Sequence, residues 1–235
     1  MSRISDIVNN SKRVFDLNKE FIEQRSAKRR VDIAKALPTD ISYGQLKVYI
    51  NDNFNNTCVI SGSKNIEVDH FIPVSWGHGG NYIGNLMPLD IELNKFKREM
   101  NPFEWAKKFK IDNDKFNEIV KYLSELNGLS PIDFEEFVYW CEKNKRDVKQ
   151  IKEDDLMYSI DLWKESTNYP ERKFIEFIVK LLKANKQQLI DIKTIKLLCK
   201  DNRIQYFDLR DNEVREMLKK KKVIFVDQQY LKMKR

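Results

Sequence analysis

Ile66-Glu67-Val68-Asp69-His70-Phe71-Ile72-Pro73-Val74-Ser75 sets an acid and an imidazole side by side in a β-prone run. It reads as a strand from Glu67 to Val74, broken at Pro73, and this strand sets the frame for its neighbours. A loop comes next and takes Gly77, Gly79, Gly80 and Gly84, four of the chain's seven glycines. Asn85 to Leu89 reads as a second short strand. Asp90 has the short acceptor side chain of an N-cap, for a helix running through Lys97. The order is strand, loop, strand, helix. Only two histidines exist in the chain, and one of them, His70, stands directly beside Asp69. A lone imidazole beside a carboxylate, with an amide oxygen arriving from a following helix, suits one metal ion and one general base acting on a phosphodiester.

Outward from this stretch the chain reads mostly as helix, so the fold class expected is α+β. On the N-terminal side, apolar residues at three- and four-residue spacing predict a helix over 3–36, stopped by Pro38, and a second over 42–54. Arg25, Lys28, Arg29 and Arg30 cluster near the end of the first. They are either a solvated helix terminus or a phosphate-contacting patch. Thr57 to Ile60 is short and β-prone, and Ser61-Gly62-Ser63 turns the chain.

On the C-terminal side, Asn101-Pro102 and Ser130-Pro131 are helix starts, and Phe116, Ile119, Val120 and Leu123 form a stripe closed by Gly128. Residues 144–156 are charge-rich and read as an exposed connection. From Pro170 three helices follow, the last capped by Asp211, and then a hairpin around Gln228-Gln229. That set would suit a winged-helix-like module, although Gln-Gln is a poor tight-turn pair. Lys219 to Lys222 suit a helix C-terminus. The domains expected are a helical flank (1–56), a core (57–110), its helical extension (111–147) and a C-terminal recognition module (157–235).

Composition narrows the function class. The net charge of +7 and pI near 9.1 favour polyanionic partners. No run of about 18 apolar residues predicts a membrane span, and Met1 to Asn10 does not read as a signal peptide. The three cysteines, Cys58, Cys141 and Cys199, are odd in number and far apart, which fits a reducing, cytoplasmic setting.

Asp69-His70 with Ile72-Pro73 and Ser75, the Gly79-Gly80 loop, Asn85-Leu86, and Asn94 followed by Lys97 resemble the HNH, or ββα-metal, endonucleases. The resemblance covers roughly Cys58 to Trp105. It implies His70 as general base and Asp69 and Asn94 as ligands of one Mg²⁺ or Mn²⁺. It also implies Asn85 as a brace that keeps the base aimed. Lys97 is either a phosphate contact or a solvated lysine. His78 reads as a solvated loop residue, and Glu67 as a half-exposed strand residue on the face of Asp69.

Many relatives hold a structural zinc on two Cys-x-x-Cys pairs. Here Cys58 has Ser61 three residues on, and Asp90 and Leu93 stand where the second pair would be, so no structural zinc is expected. The function expected is a metal-dependent DNA endonuclease, bacterial or phage-encoded, in restriction or defence. Double-strand cleavage would need a homodimer or two encounters, and a regulatory protein is a further candidate partner. The alternatives are a non-catalytic nucleic-acid-binding module and an RNase or toxin nuclease.

Overall fold

A computed structural model describes residues 24–154, 158–185, 189–226 and 229–234. The reading of Met1 to Asn10, most of the helix expected over 3–36, and Gln228 of the hairpin turn lie outside the described residues. The chain is α+β and divides into two compact units, at Leu162/Trp163.

The first unit holds α1 (residues 24–36), α2 (Tyr43–Phe54), β1 (Ile66–His70), β2 (Leu86–Asp90), α3 (Ile91–Lys97), α4 (Pro102–Lys108), α5 (Asn113–Leu126), α6 (Pro131–Lys143) and α7 (Val148–Glu153). The division falls inside α8 (Ser159–Ser166). Local chemistry starts these helices. Ser42 and Gln45 form a capping box on α2, the Asp90 carboxylate accepts from the Glu92 and Leu93 amides, and Asn101-Pro102 and Ser130-Pro131 open α4 and α6.

β1 and β2 pair antiparallel, with Ile66 opposite Asp90 and His70 opposite Leu86. β1 ends at His70, four residues before the expected Val74. Phe71 and Ile72 are both fully buried, and two consecutive buried side chains do not fit the alternation of a half-exposed strand. Their amides turn instead to Asn85, through its backbone oxygen (2.8 Å) and its side-chain oxygen (2.7 Å). Phe71 then packs against Phe103, Phe116 and Phe134 of α4, α5 and α6, with ring centroids 5.5–6.1 Å apart. The residue next to the imidazole is thus anchored in the aromatic core.

Two further expectations change. Thr57 to Ile60 is a turn, because the Ile60 and Ser61 amides point at Cys58 Sγ (3.4 and 3.3 Å) and only the Val59 amide reaches the sheet, at Pro88 O. Residues 144–154 are no exposed connection. They contain α7, capped by Asp147 with Gln150, and Ile151 packs with Ile33, Ala36 and Leu37 of the α1 region. Arg146 is buried as well. The charges of this segment hid a short apolar face, Val148 and Ile151, which is enough once α1 covers it.

The second unit runs α9 (Tyr169–Ala184), β3 (Ile190–Asp191), α10 (Ile192–Asp201), α11 (Asn212–Lys220), β4 (Val223–Val226) and β5 (Tyr230–Met233). Its sheet order is β3-β5-β4, all antiparallel. Its core takes Phe174, Ile178 and Leu182 from α9, Ile195 and Cys199 from α10, Val214 and Leu218 from α11, and Val223 and Leu231 from the hairpin. β3 was not expected; two residues give no readable alternation.

No helix among the described residues is long and apolar enough to cross a membrane.

Candidate active-site cleft

The antiparallel register sets Asp69 and His70 at the end of β1, and α3 follows β2 directly, which brings Asn94 back over the same strand. Asp69, His70 and Asn94 line one cleft of about 630 Å³, with Glu67, Arg30 and Arg98 among its other walls.

His70 is oriented from behind. Its Nε2 lies 2.8 Å from Asn81 Oδ1, and the Asn81 amide nitrogen faces Thr39 Oγ1 at 3.4 Å. That arrangement makes the Asn81 oxygen the acceptor, so Nε2 carries the proton and Nδ1 keeps its lone pair. Burial pushes the imidazole below its ordinary value; the Asn81 bond and the Asp69 charge oppose this, while Lys97 adds to it. The ring is therefore held neutral around neutral pH.

Asn81 is itself fixed by backbone. Its amide donates to Pro38 O (3.0 Å), and its carbonyl accepts from Asp40 (2.9 Å). The neighbouring Gly80 has φ +114°, and a Cβ there would meet Pro38 O at 2.5 Å. Only glycine allows this approach of the two loops.

The carboxylate of Asp69 is nearly buried, and its charge is balanced from within. Lys97 is completely buried; its Nζ donates to His70 O (2.8 Å) and stands 2.7 Å from Asp69 Oδ2. The second contact is one of charge, since Oδ2 accepts no hydrogen bond. Lys97 is thus neither a phosphate contact nor a solvated lysine. Its position one helical turn after Asn94 turns it inward, under the strand.

Asn94 Nδ2 donates to Glu67 Oε1 (2.7 Å), which leaves its Oδ1 without a hydrogen bond among the described residues. Asn85 stays out of the cleft. It is fully buried, accepts from the Ile72 amide and donates to Ile72 O and Gly80 O, both at 3.3 Å. It therefore ties the turn after His70 to the glycine loop. Glu67, on the face of Asp69, is exposed.

Of the basic cluster on α1, Arg30 lines the cleft; Arg25, Lys28 and Arg29 are exposed on the helix and do not. His78 is not solvated. It is fully buried, with Nδ1 2.9 Å from Ser159 Oγ and Nε2 2.6 Å from Asn144 O, and its ring meets Trp140 edge-on. Arg146 joins this network through Gly77 O, Ser159 Oγ and Asp154. The glycine loop is thereby locked to α6, α7 and α8. Sequence reading missed Asn81 and Arg98. Arg98 directly follows Lys97, so only its residue type was a signal; Asn81 had none.

A divalent cation fits the donors present. Among the described residues no three His, Cys, Asp or Glu side chains gather as a metal set, so a site here would be sparse. It would rest on Asp69, a near-buried carboxylate whose Oδ2 accepts no hydrogen bond, and on the amide oxygen of Asn94, with Glu67 beside it. Oxygen donors of this kind suit hard cations such as Mg²⁺ or Mn²⁺ over zinc. Cys58 is buried and accepts backbone amides, away from any other cysteine's motif spacing.

Comparison with family models, curated proteins and solved structures gives no match to this chain.

Proposed function

We propose that the protein is a metal-dependent DNA endonuclease of the HNH, or ββα-metal, type, serving restriction or defence in a bacterial or phage-infected cell. The observation that carries this reading is the cleft itself. A hairpin and the helix after it present an imidazole with its Nδ1 lone pair free, a desolvated carboxylate and an unbonded amide oxygen within one depression.

In this reading His70 Nδ1 takes the proton of the attacking water, with Asn81 holding the ring and its tautomer. Asp69 and Asn94 would hold the divalent cation, which would supply charge neutralisation at the scissile phosphate and the leaving 3′ oxygen. Arg30 and Arg98 bring guanidinium groups to the same cleft and would steady the scissile phosphate. Lys97 keeps Asp69 in place, and Asn85 keeps the turn in place. The second unit, with helix–strand–helix–helix–strand–strand order and its first strand beside the last, supports a winged-helix-like module that recognises DNA.

The test is incubation of purified protein with supercoiled plasmid, linear DNA and RNA, in Mg²⁺ or EDTA. Nicking that needs the metal is expected, with His70→Ala slower by at least roughly 10²–10⁴-fold and DNA binding retained. Single-turnover cleavage by His70→Ala within about tenfold of the parent would remove the base assignment, whereas the general-base principle predicts a larger loss. Cleavage confined to RNA would move the protein to the RNase class. Binding without cleavage in any metal would leave a binding module.

A further inference from the structure

The positive charge of this protein is not shared between its units. Residues 163–235 carry 19 Lys and Arg against 10 Asp and Glu; residues 1–162 carry 24 against 26. The unit that holds the cleft is therefore slightly acidic, and the second unit alone is strongly basic. A polyanion would be attracted to the second unit and, on net charge, gain little from the first.

Within the second unit one surface is built for such a ligand. Lys193, Lys196, Leu197 and Lys200 recur at positions i, i+3, i+4 and i+7 of α10, on one helical face, and all four are exposed. Leu197 is 65% exposed, the side opposite the buried Ile195 and Cys199. With Ile204 and Tyr206 they line a groove of about 530 Å³ that contains no acidic residue. None of the three lysines has an ion pair among the described residues; Lys196 lies over the Tyr206 ring at 5.6 Å.

Each of two other lysine-lined hollows of this unit has a carboxylate in its lining or on one of its lysines. The one at Lys180, Lys183 and Lys221 includes Glu176, and Lys219, in another, is paired with Glu216 at 2.6 Å. Lys193 and Lys200 are seven residues apart, or about 10 Å along the helix, which is close to the ~12 Å width of the DNA major groove. Cations at both ends of one exposed face, with an apolar side chain between them, match a groove flanked by two phosphate rows.

We propose that the outer face of α10, Lys193-Lys196-Leu197-Lys200 with Tyr206, is the docking surface for the phosphodiester backbone of duplex DNA. It supplies most of the affinity that the acidic first unit lacks. The choice of DNA rests on the nuclease reading above; the surface itself does not.

The test uses the full chain in EDTA, so that binding is read without cleavage. Fluorescence anisotropy with a short labelled duplex is followed between roughly 50 and 200 mM salt. Lys193→Gln/Lys196→Gln/Lys200→Gln is compared with Lys180→Gln/Lys183→Gln/Lys221→Gln, which removes the same charge elsewhere on the unit. The α10 variant should lose at least about tenfold in affinity, and its salt slope should fall by about 2.7, or 0.9 for each lost phosphate contact. The comparison variant should lose no more than about threefold, with a slope change below about one. Leu197→Glu, which sets one carboxylate among the lysines, should weaken binding in the same direction.

Equal losses in the two triple variants, an α10 variant that binds like the parent, or a parent that binds no duplex would overturn the proposal. So would displacement of the duplex by polyglutamate as effective as by unlabelled duplex, since the groove would then fit an acidic protein segment. Unlabelled single-stranded DNA and RNA should compete less well than duplex; equal competition also overturns the duplex assignment. Cleavage is scored separately in Mg²⁺. A parent that binds through α10 and never cuts refutes the nuclease reading alone. A parent that cuts while the α10 variant binds normally refutes this surface alone.

Discussion

At the residue scale, two buried polar side chains decide how the cleft is held. Among the described residues Lys97 is the cation in ion-pair contact with Asp69, and both side chains are largely desolvated. Removing one partner of such a pair leaves an uncompensated buried charge, which costs about 3–5 kcal/mol. Lys97→Met should therefore lower stability by that order, measured by urea unfolding. Mg²⁺ should stabilise the variant more than it stabilises the parent, because a cation at Asp69 would replace the lost ammonium. Equal stabilisation of both proteins would argue that no cation binds at Asp69. His78 is the second case. Burial pushes its imidazole down to about 4 from 6.5, with the Arg146 charge adding and the Asn144 bond opposing. The sign follows from the unfolded chain taking up a proton first: its contribution is whole above pH 6.5 and is lost as pH falls from there toward about 4. The loss is on the order of 3 kcal/mol, at 1.36 kcal/mol per pH unit of difference. His78→Gln should flatten the pH dependence of stability in that window; an unchanged dependence would assign it to other groups.

At the scale of elements, the cleft depends on loops as much as on the hairpin. β1, β2 and α3 bring Asp69, His70 and Asn94 together, but the tautomer of His70 depends on Asn81, and Asn81 depends on the loop at residues 38–40. Gly80 is the point of contact. Gly80→Ala would place a methyl against Pro38 O in a backbone region L-residues avoid, at about 1–3 kcal/mol. The loops must part, and Asn81 must move with them. Gly80→Ala should melt lower and cut more slowly while binding DNA as before. A variant with normal turnover would show that the Asn81 contact does not aim the base. The short α7 belongs to the same scale. Arg146, just before it, joins the start of the glycine loop to the end of this helix, its Nε reaching Gly77 O at 3.0 Å and its Nη1 the Asp154 carboxylate at 2.7 Å.

At the scale of the whole molecule, the position of the division matters for any fragment. A fragment ending near Asp147 would retain every residue of the motif, yet it would lose Asp154 and Ser159. His78 would then lack its Ser159 partner, and Arg146 two of its three. A fragment ending at Leu162 keeps them all. The shorter fragment should melt well below the longer one by circular dichroism; equal melting would mean that the buried polar network contributes nothing. The charge division gives the second expectation at this scale. The longer fragment, net acidic, should bind DNA far more weakly than the full chain even where it still nicks at high DNA concentration.

The sequence by itself determined what local chemistry determines. Asp90, Asn101 and Ser130 announced their helices because capping is an exchange between neighbours in the chain. The order strand, loop, strand, helix was legible around Asp69 and His70 because alternation and glycine are local signals. What the sequence left open was the direction of side chains that reach across it. Lys97 looked like a surface lysine, His78 like a loop residue and 144–156 like a linker, since charge alone gives no sign of a partner 27 or 81 residues away. Asn81 had no local signature at all, because its value to His70 comes from two loops meeting at Gly80. Burial, pairing and aim are decided by long-range packing, and only the tertiary structure contains it.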